Sequence, residues 1–196
     1  MTEPSPESID VAGPWFEDFT RGQEFDAPAV TIGAGHAALY QSWFGDRLRL
    51  PLDHATARRV TGGNEALVHP MLAINVAIGQ STWASQRVKA NLFYRGLVMH
   101  RPVRLGDTLY TRTRIVGLRH NRVQPGRPAT GVCALEMRTT NQRDEEVLHF
   151  WRCPMIPCRA AEPQQLERDD LDRIGAAATP DTMQAAVPSS WALRPA

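Results

Sequence analysis

YRGLVMHRPVRLGDTLY, Tyr94 to Tyr110, is the stretch that decides the fold of this chain. An extended apolar segment runs into Arg101-Pro102-Val103, where proline fixes φ and removes a backbone donor. Gly106-Asp107-Thr108-Leu109 then turns into a second strand. Working outward, strands are expected over Val88 to Met99, Asp107 to Leu118, Thr130 to Thr140 and Glu145 to Ile156. The second alternates Leu109, Thr111, Thr113 and Ile115 against Tyr110, Arg112, Arg114 and Val116, which predicts one packed and one wet face. Arg119 to Pro128 is a polar loop, and Asn141 to Asp144 a hairpin turn. Upstream, Leu67 to Trp83 is apolar on every face, the signature of a helix buried all round, and a sheet must wrap it. A short amphipathic helix is expected over His36 to Phe44, stopped by Gly45. An irregular, proline-containing segment, Asp46 to His54, then leads to a second short helix ending at Thr61-Gly62-Gly63.

At 196 residues with a formal net charge of +1, the chain suits one domain able to bury its own core. It lacks the electrostatic footprint for nucleic acid or an anionic membrane. Residues 1–13, polar and rich in Pro and Ser, read as a disordered segment with neither leader nor anchor. The fold is expected over 14–159, and 160–196 as a tail, partly helical or disordered, with Leu166 to Ile174 its candidate helix. Cys133, Cys153 and Cys158 lack metal-ligand spacing and fall in or beside strands, which points to buried thiols in a reducing cytoplasm. Lys89 is the sole lysine among 22 basic residues. That skew carries no functional reading. No zinc-like ligand set, no Gly-rich loop after a strand and no GxSxG elbow occurs.

Together with PWFEDFTRGQEF at Pro14 to Phe25 and LVHPM at Leu67 to Met71, the Tyr94 to Tyr110 stretch resembles the MaoC-like dehydratases and hydratases, nearest their mesaconyl-CoA hydratase branch. The resemblance runs from Trp15 to Arg159. It implies an α+β hotdog fold, an antiparallel sheet wrapped around a long central helix. It also implies an acyl-CoA substrate, no cofactor, and a homodimer with sites near the subunit interface. The implied reaction is reversible hydration of a 2-enoyl-CoA, branched or dicarboxylic chains included.

In that family an Asp and a His five residues apart, in a GDxNPLH-type loop, hold the added water. Protonating C2 while hydroxylating C3 needs a positioned acid and base, and the thioester oxygen needs donors for its enolate charge. Gly45-Asp46 matches the start of that loop, but five residues on lies Pro51. Three readings stand. In one, an expanded loop brings His54 against Asp46. In another, Asp46 and Asp53 form a carboxylate pair, one member held protonated. In the last, Asp46 bonds a turn, Asp53 caps the next helix and His54 lies on the surface.

The resemblance also implies a thioester clamp at the start of the buried helix, usually His-Gly and here His69-Pro70. Proline has no N–H, so a neighbour such as Met71 must donate, while His69 alternatively only packs at the helix entry. Arg95, Arg101 and Arg104, with Arg112 and Arg114, are candidates for the coenzyme A phosphates or simply a solvated sheet face. Rival functions are a thioesterase and a non-catalytic acyl-CoA-binding subunit with a degenerate site.

Overall fold

The computed structural model describes residues 13–45, 47–160 and 171–193. The chain enters through a 3-10 turn at Phe16–Asp18, which sinks Phe16 into the core. It then forms β1 (Glu24–Asp26), β2 (Val30–Thr31), α1 (Ala34–Phe44), α2 (Arg49–Leu52), α3 (His54–Thr61) and α4 (Pro70–Gln80). The main sheet strands follow: β3 (Ala90–Arg95), β4 (Thr108–His120), β5 (Thr130–Thr140) and β6 (Glu146–Pro157), with α5 (Pro180–Ala185) in the tail. The antiparallel sheet is ordered β1-β4-β5-β6-β3, with β2 also pairing β4.

β4 keeps its expected alternation: Leu109, Thr111, Thr113 and Ile115 are buried while Tyr110, Arg112 and Arg114 are exposed. A bulge between Ile115 and Gly117 then shifts the register and turns Val116 into a second cluster with Val132, Ala134, Cys153 and Leu171. The Gly106-Asp107 signature is a structural lock. Gly106 takes φ 93°. Asp107, 5% exposed, accepts from the Arg104 amide at 2.8 Å and the Gln142 side chain at 2.8 Å. The Asn141 turn is closed by its own side-chain oxygen, which accepts from the amides of Arg143 and Glu145.

Helix α4 is shorter than its apolar run. Pro70 at its first position starts it and Gln80 ends it. Ala73 and Ala77, both 0% exposed, let it approach the sheet, while Leu72 and Ile74 fill the core. It is not buried all round: Met71, Asn75 and Gly79, one helical turn apart, form an exposed stripe. Its last turn is fixed by Gln80, whose amide donates to the Pro28 and Leu109 carbonyls at 2.9 Å each and accepts from Thr111 at 2.6 Å. Leaving such a buried amide unpaired costs about 1–3 kcal/mol, so this one side chain holds the helix end to β4.

The three cysteines are free and buried. Burial pushes the Cys153 and Cys158 thiols up to about 11, and raises Cys133 further. Thiols held protonated are poor nucleophiles. No helix among the described residues is long and apolar enough to cross a membrane, and none of their His, Cys, Asp and Glu side chains form a group of three suited to a metal.

Of the tail helix expected at Leu166 to Ile174, residues 166–170 lie outside the described residues. Leu171 takes φ 58° in a turn that buries it on the outer sheet face, and the helix forms instead at Pro180–Ala185. There Thr179 caps it and proline opens it, the signals that define a helix start.

Candidate active site

The candidate site lies where α1, the α2–α3 turn and the entry to α4 meet. Helix α1 ends at Gly45 in the left-handed conformation, φ 55°. Glycine adopts this without a Cβ penalty. Gln41 reaches from α1 to the Pro51 carbonyl at 3.2 Å, tying α2 beneath it. Tyr40 stacks on Phe44 at 4.6 Å and lies 5.1 Å from the ring of His69. The aromatic side of α1 is thereby coupled to the start of α4.

Asp46 lies outside the described residues. Asp53 is the N-cap of α3: one carboxylate oxygen accepts from the Thr56 amide at 2.9 Å and the other from the Thr56 hydroxyl at 2.5 Å, with Arg49 at 3.9 Å. The Thr56 hydroxyl, then its amide, hold the Asp53 carboxyl below the usual aspartate range. His54, the next residue, is exposed at the first position of α3. Among the described residues the loop forms no carboxylate–histidine contact.

The cap makes a pH-dependent prediction. A depressed folded-state value means that Asp53 contributes stability fully above the ordinary aspartate range and loses it as pH falls through the lowered value. Asp53→Ala is expected to lower Tm at pH 7 and to lose that effect toward pH 2. Thermal melts of both proteins across this range check it, and an equal Tm deficit at both ends removes the titrating cap.

His69 caps α4. Its Nδ1 accepts from the Met71 amide at 3.0 Å, and its carbonyl accepts from Leu72 at 2.9 Å. The Met71 N–H proposed as an oxyanion donor is therefore engaged within the helix cap, because Pro70 supplies no N–H and the imidazole takes the next one. With Nδ1 accepting, a neutral His69 ring carries its proton on Nε2. The Met71 amide at this helix entry is thus already bonded to the imidazole.

Beside it opens a cavity of about 340 Å³ with an almost wholly apolar lining, from Leu48 and Pro51 in the loop, Leu67, Val68 and Pro70 at the helix entry, and Met99 and Pro102 at the corner. The remaining wall is the tail, through Met183, Val187 and Trp191. Sequence reasoning missed this wall and Tyr40. The tail's signal was three large apolar residues spaced by four in an otherwise Ala- and Pro-rich stretch.

The arginines divide. Arg104 is ion-paired with Glu65, and Arg101 lies 3.5 Å from Glu145. Arg112 and Arg114 face Glu24, and Arg112 also Asp26. Arg95, at the end of the edge strand β3, stacks over Phe93 at 5.8 Å and has no carboxylate partner among the described residues.

No family model matches the chain. It is 34% identical over 167 residues to β-methylmalyl-CoA dehydratase of Chloroflexus aurantiacus, covering 83% of this chain and 46% of that protein. It is 32% identical over 148 residues to mesaconyl-CoA hydratase of Cereibacter sphaeroides, covering 74% and 41%. Among solved structures, a conserved Mycobacterium tuberculosis protein described as having a double hotdog fold superposes at TM-score 0.83 with 51% identity, over 93% of this chain and 56% of that one. A MaoC domain protein of Chloroflexus aurantiacus superposes at TM-score 0.73 with 30% identity, over 90% and 48%. The chain spans about half the length of the curated relatives it matches. On this agreement of sequence and sheet, the chain belongs to the MaoC-like dehydratase and hydratase family of hotdog-fold proteins.

Proposed function

We propose that this hotdog unit adds water reversibly to a 2-enoyl-CoA thioester, giving the 3-hydroxyacyl-CoA. The observation that supports it is the apolar cavity opening at the His69-capped start of α4, in a chain 34% identical to a CoA-thioester dehydratase over 83% of its length. In this reading Asp46 takes a proton from the attacking water as its oxygen bonds C3. A partner acid then delivers a proton to C2, and the Nε2–H of His69 holds the enolate charge on the thioester oxygen. Of the two partner candidates, Asp53 has both oxygens engaged by Thr56, which leaves His54 as the acid. Acid–base groups suffice for this chemistry, so we propose no cofactor beyond the substrate's own coenzyme A. Arg95, which has no carboxylate partner among the described residues, is the better candidate for its phosphates than Arg101 or Arg104. We further propose that the unit works in the cytoplasm, paired with a second hotdog unit, a second copy being the simplest.

A second reading is favoured by the engaged Met71 amide and capped Asp53: a non-catalytic hotdog unit that binds acyl-CoA beside a catalytic one. Incubation in oxygen-18 water with crotonyl-CoA and mesaconyl-CoA, read by mass spectrometry, separates the cases. Labelled 3-hydroxyacyl-CoA is the expected product. Free CoA with labelled acid means a thioesterase, and saturable binding without turnover means the non-catalytic unit.

A further inference from the structure

The tail beyond the hotdog sheet is built into place. Leu171 is 8% exposed in the outer sheet cluster, and Gly175 lies so close to Trp151 that an added Cβ would sit 2.2 Å from the ring. Beyond α5, the Ala192 amide donates to the Val60 carbonyl of α3 at 2.9 Å, pinning the far end beside the site loop. Between these anchors Met183, Val187 and Trp191 face the cavity at the start of α4. Folding leaves the apolar rim open: Met183 is 52% exposed, Val187 38%, and Leu48 across the cavity 47%. Apolar side chains left wet around one concavity mark a ligand site.

The lining also carries a charge argument. Among the described residues that line it Arg49 is the one charged side chain, and its Nε lies 3.9 Å from the Asp53 carboxylate. A second carboxylate on the acyl chain would leave water for a largely apolar wall where the described cation, Arg49, already faces an anion, which is costly. At about 30 Å³ per heavy atom, a cavity of about 340 Å³ holds roughly ten.

Resting on the hydratase reading above, we propose that the segment from Met183 to Trp191 is a wall of the acyl-chain pocket. It selects apolar chains of medium length over short or dicarboxylic ones. Val187 and Met183 are the specificity-determining positions, and the loop and helix entry hold the thioester end.

The test is calorimetric titration of the whole chain with saturated CoA thioesters, which bind without turning over. Each methylene drawn into the pocket is expected to tighten binding about fourfold. Octanoyl-CoA should therefore bind about two hundredfold tighter than butanoyl-CoA, with a plateau near ten carbons and succinyl-CoA weaker than butanoyl-CoA. Val187→Trp fills the cavity from the tail side and is expected to cut the octanoyl-to-butanoyl ratio to about tenfold or less. Met183→Ala enlarges it and should move the plateau to longer chains. Equal affinity across the series, wild-type ratios in both variants, or succinyl-CoA binding as tightly as butanoyl-CoA overturns the assignment. Oxygen-18 incorporation into crotonyl-CoA would then still leave the hydratase reading standing. Absence of both thioester binding and label overturns the two together.

Discussion

Gly131→Ala is expected to cost about 3 kcal/mol of stability, one of the two largest effects of a single substitution in this chain. Gly131 pairs with His120 across β4 and β5, and a Cβ there would lie 2.4 Å from the Phe16 ring. The ring cannot step aside: Phe16 is 1% exposed and meets His120 edge-on at 4.7 Å. For a chain of this size the loss lowers Tm by about 6–12 °C, measured by calorimetry. The cause is checked by a double-mutant cycle with Phe16→Ala. Each single change destabilises, but once the ring is gone the added methyl has space, so the pair should be less destabilised than the sum by at least about 1 kcal/mol. Strict additivity would mean that the two residues do not clash.

Asp46→Asn is expected to lower turnover of the preferred enoyl-CoA by about two to four orders of magnitude, with substrate binding retained. The amide cannot take the proton of the attacking water, yet it is close to the carboxylate in size. His69→Asn is the companion variant. Asparagine caps a helix by the same acceptor role as the Nδ1 of His69, so α4 should keep its stability while losing the imidazole donor and with it kcat. Wild-type kcat in Asp46→Asn removes this carboxylate from the mechanism. Wild-type kcat in His69→Asn, at unchanged Tm, leaves His69 a cap alone.

The sheet was legible because its rules are local. Alternation along β4, the Pro102-Val103 corner and the Asn141 turn each follow from a few adjacent residues, and the structure places β5 over the expected Thr130–Thr140. The extent of α4 was less legible: apolar character over Leu67 to Trp83 reports an apolar environment, whereas Pro70 and Gln80 set where hydrogen bonding starts and stops. The site was half legible. His69 and Pro70 stood out as a pair, but the imidazole's use as a cap depends on the φ and ψ that proline imposes. Asp53 carried both a catalytic and a capping reading, and Thr56, three residues on, settles where its oxygens bond. The tail was illegible because its role comes from where its anchors put it: Trp151 and Val60 are distant in sequence from Val187.

Those anchors bear on rates as well as on shape. Among the described residues the tail's ties to the rest of the molecule include the Leu171 cluster, the Gly175–Trp151 contact, the approach of Ala176 to Gly96 and a backbone hydrogen bond at Ala192, whereas β5 is laddered along its length to β4 and β6. Release of a segment held in this way would be a local opening that spares the sheet, and such openings lie below the free energy of global unfolding. The wall of the cavity can swing on its own clock. A long chain that must pass beneath it enters no faster than the tail lifts, so association can saturate at a rate set by the protein rather than by encounter.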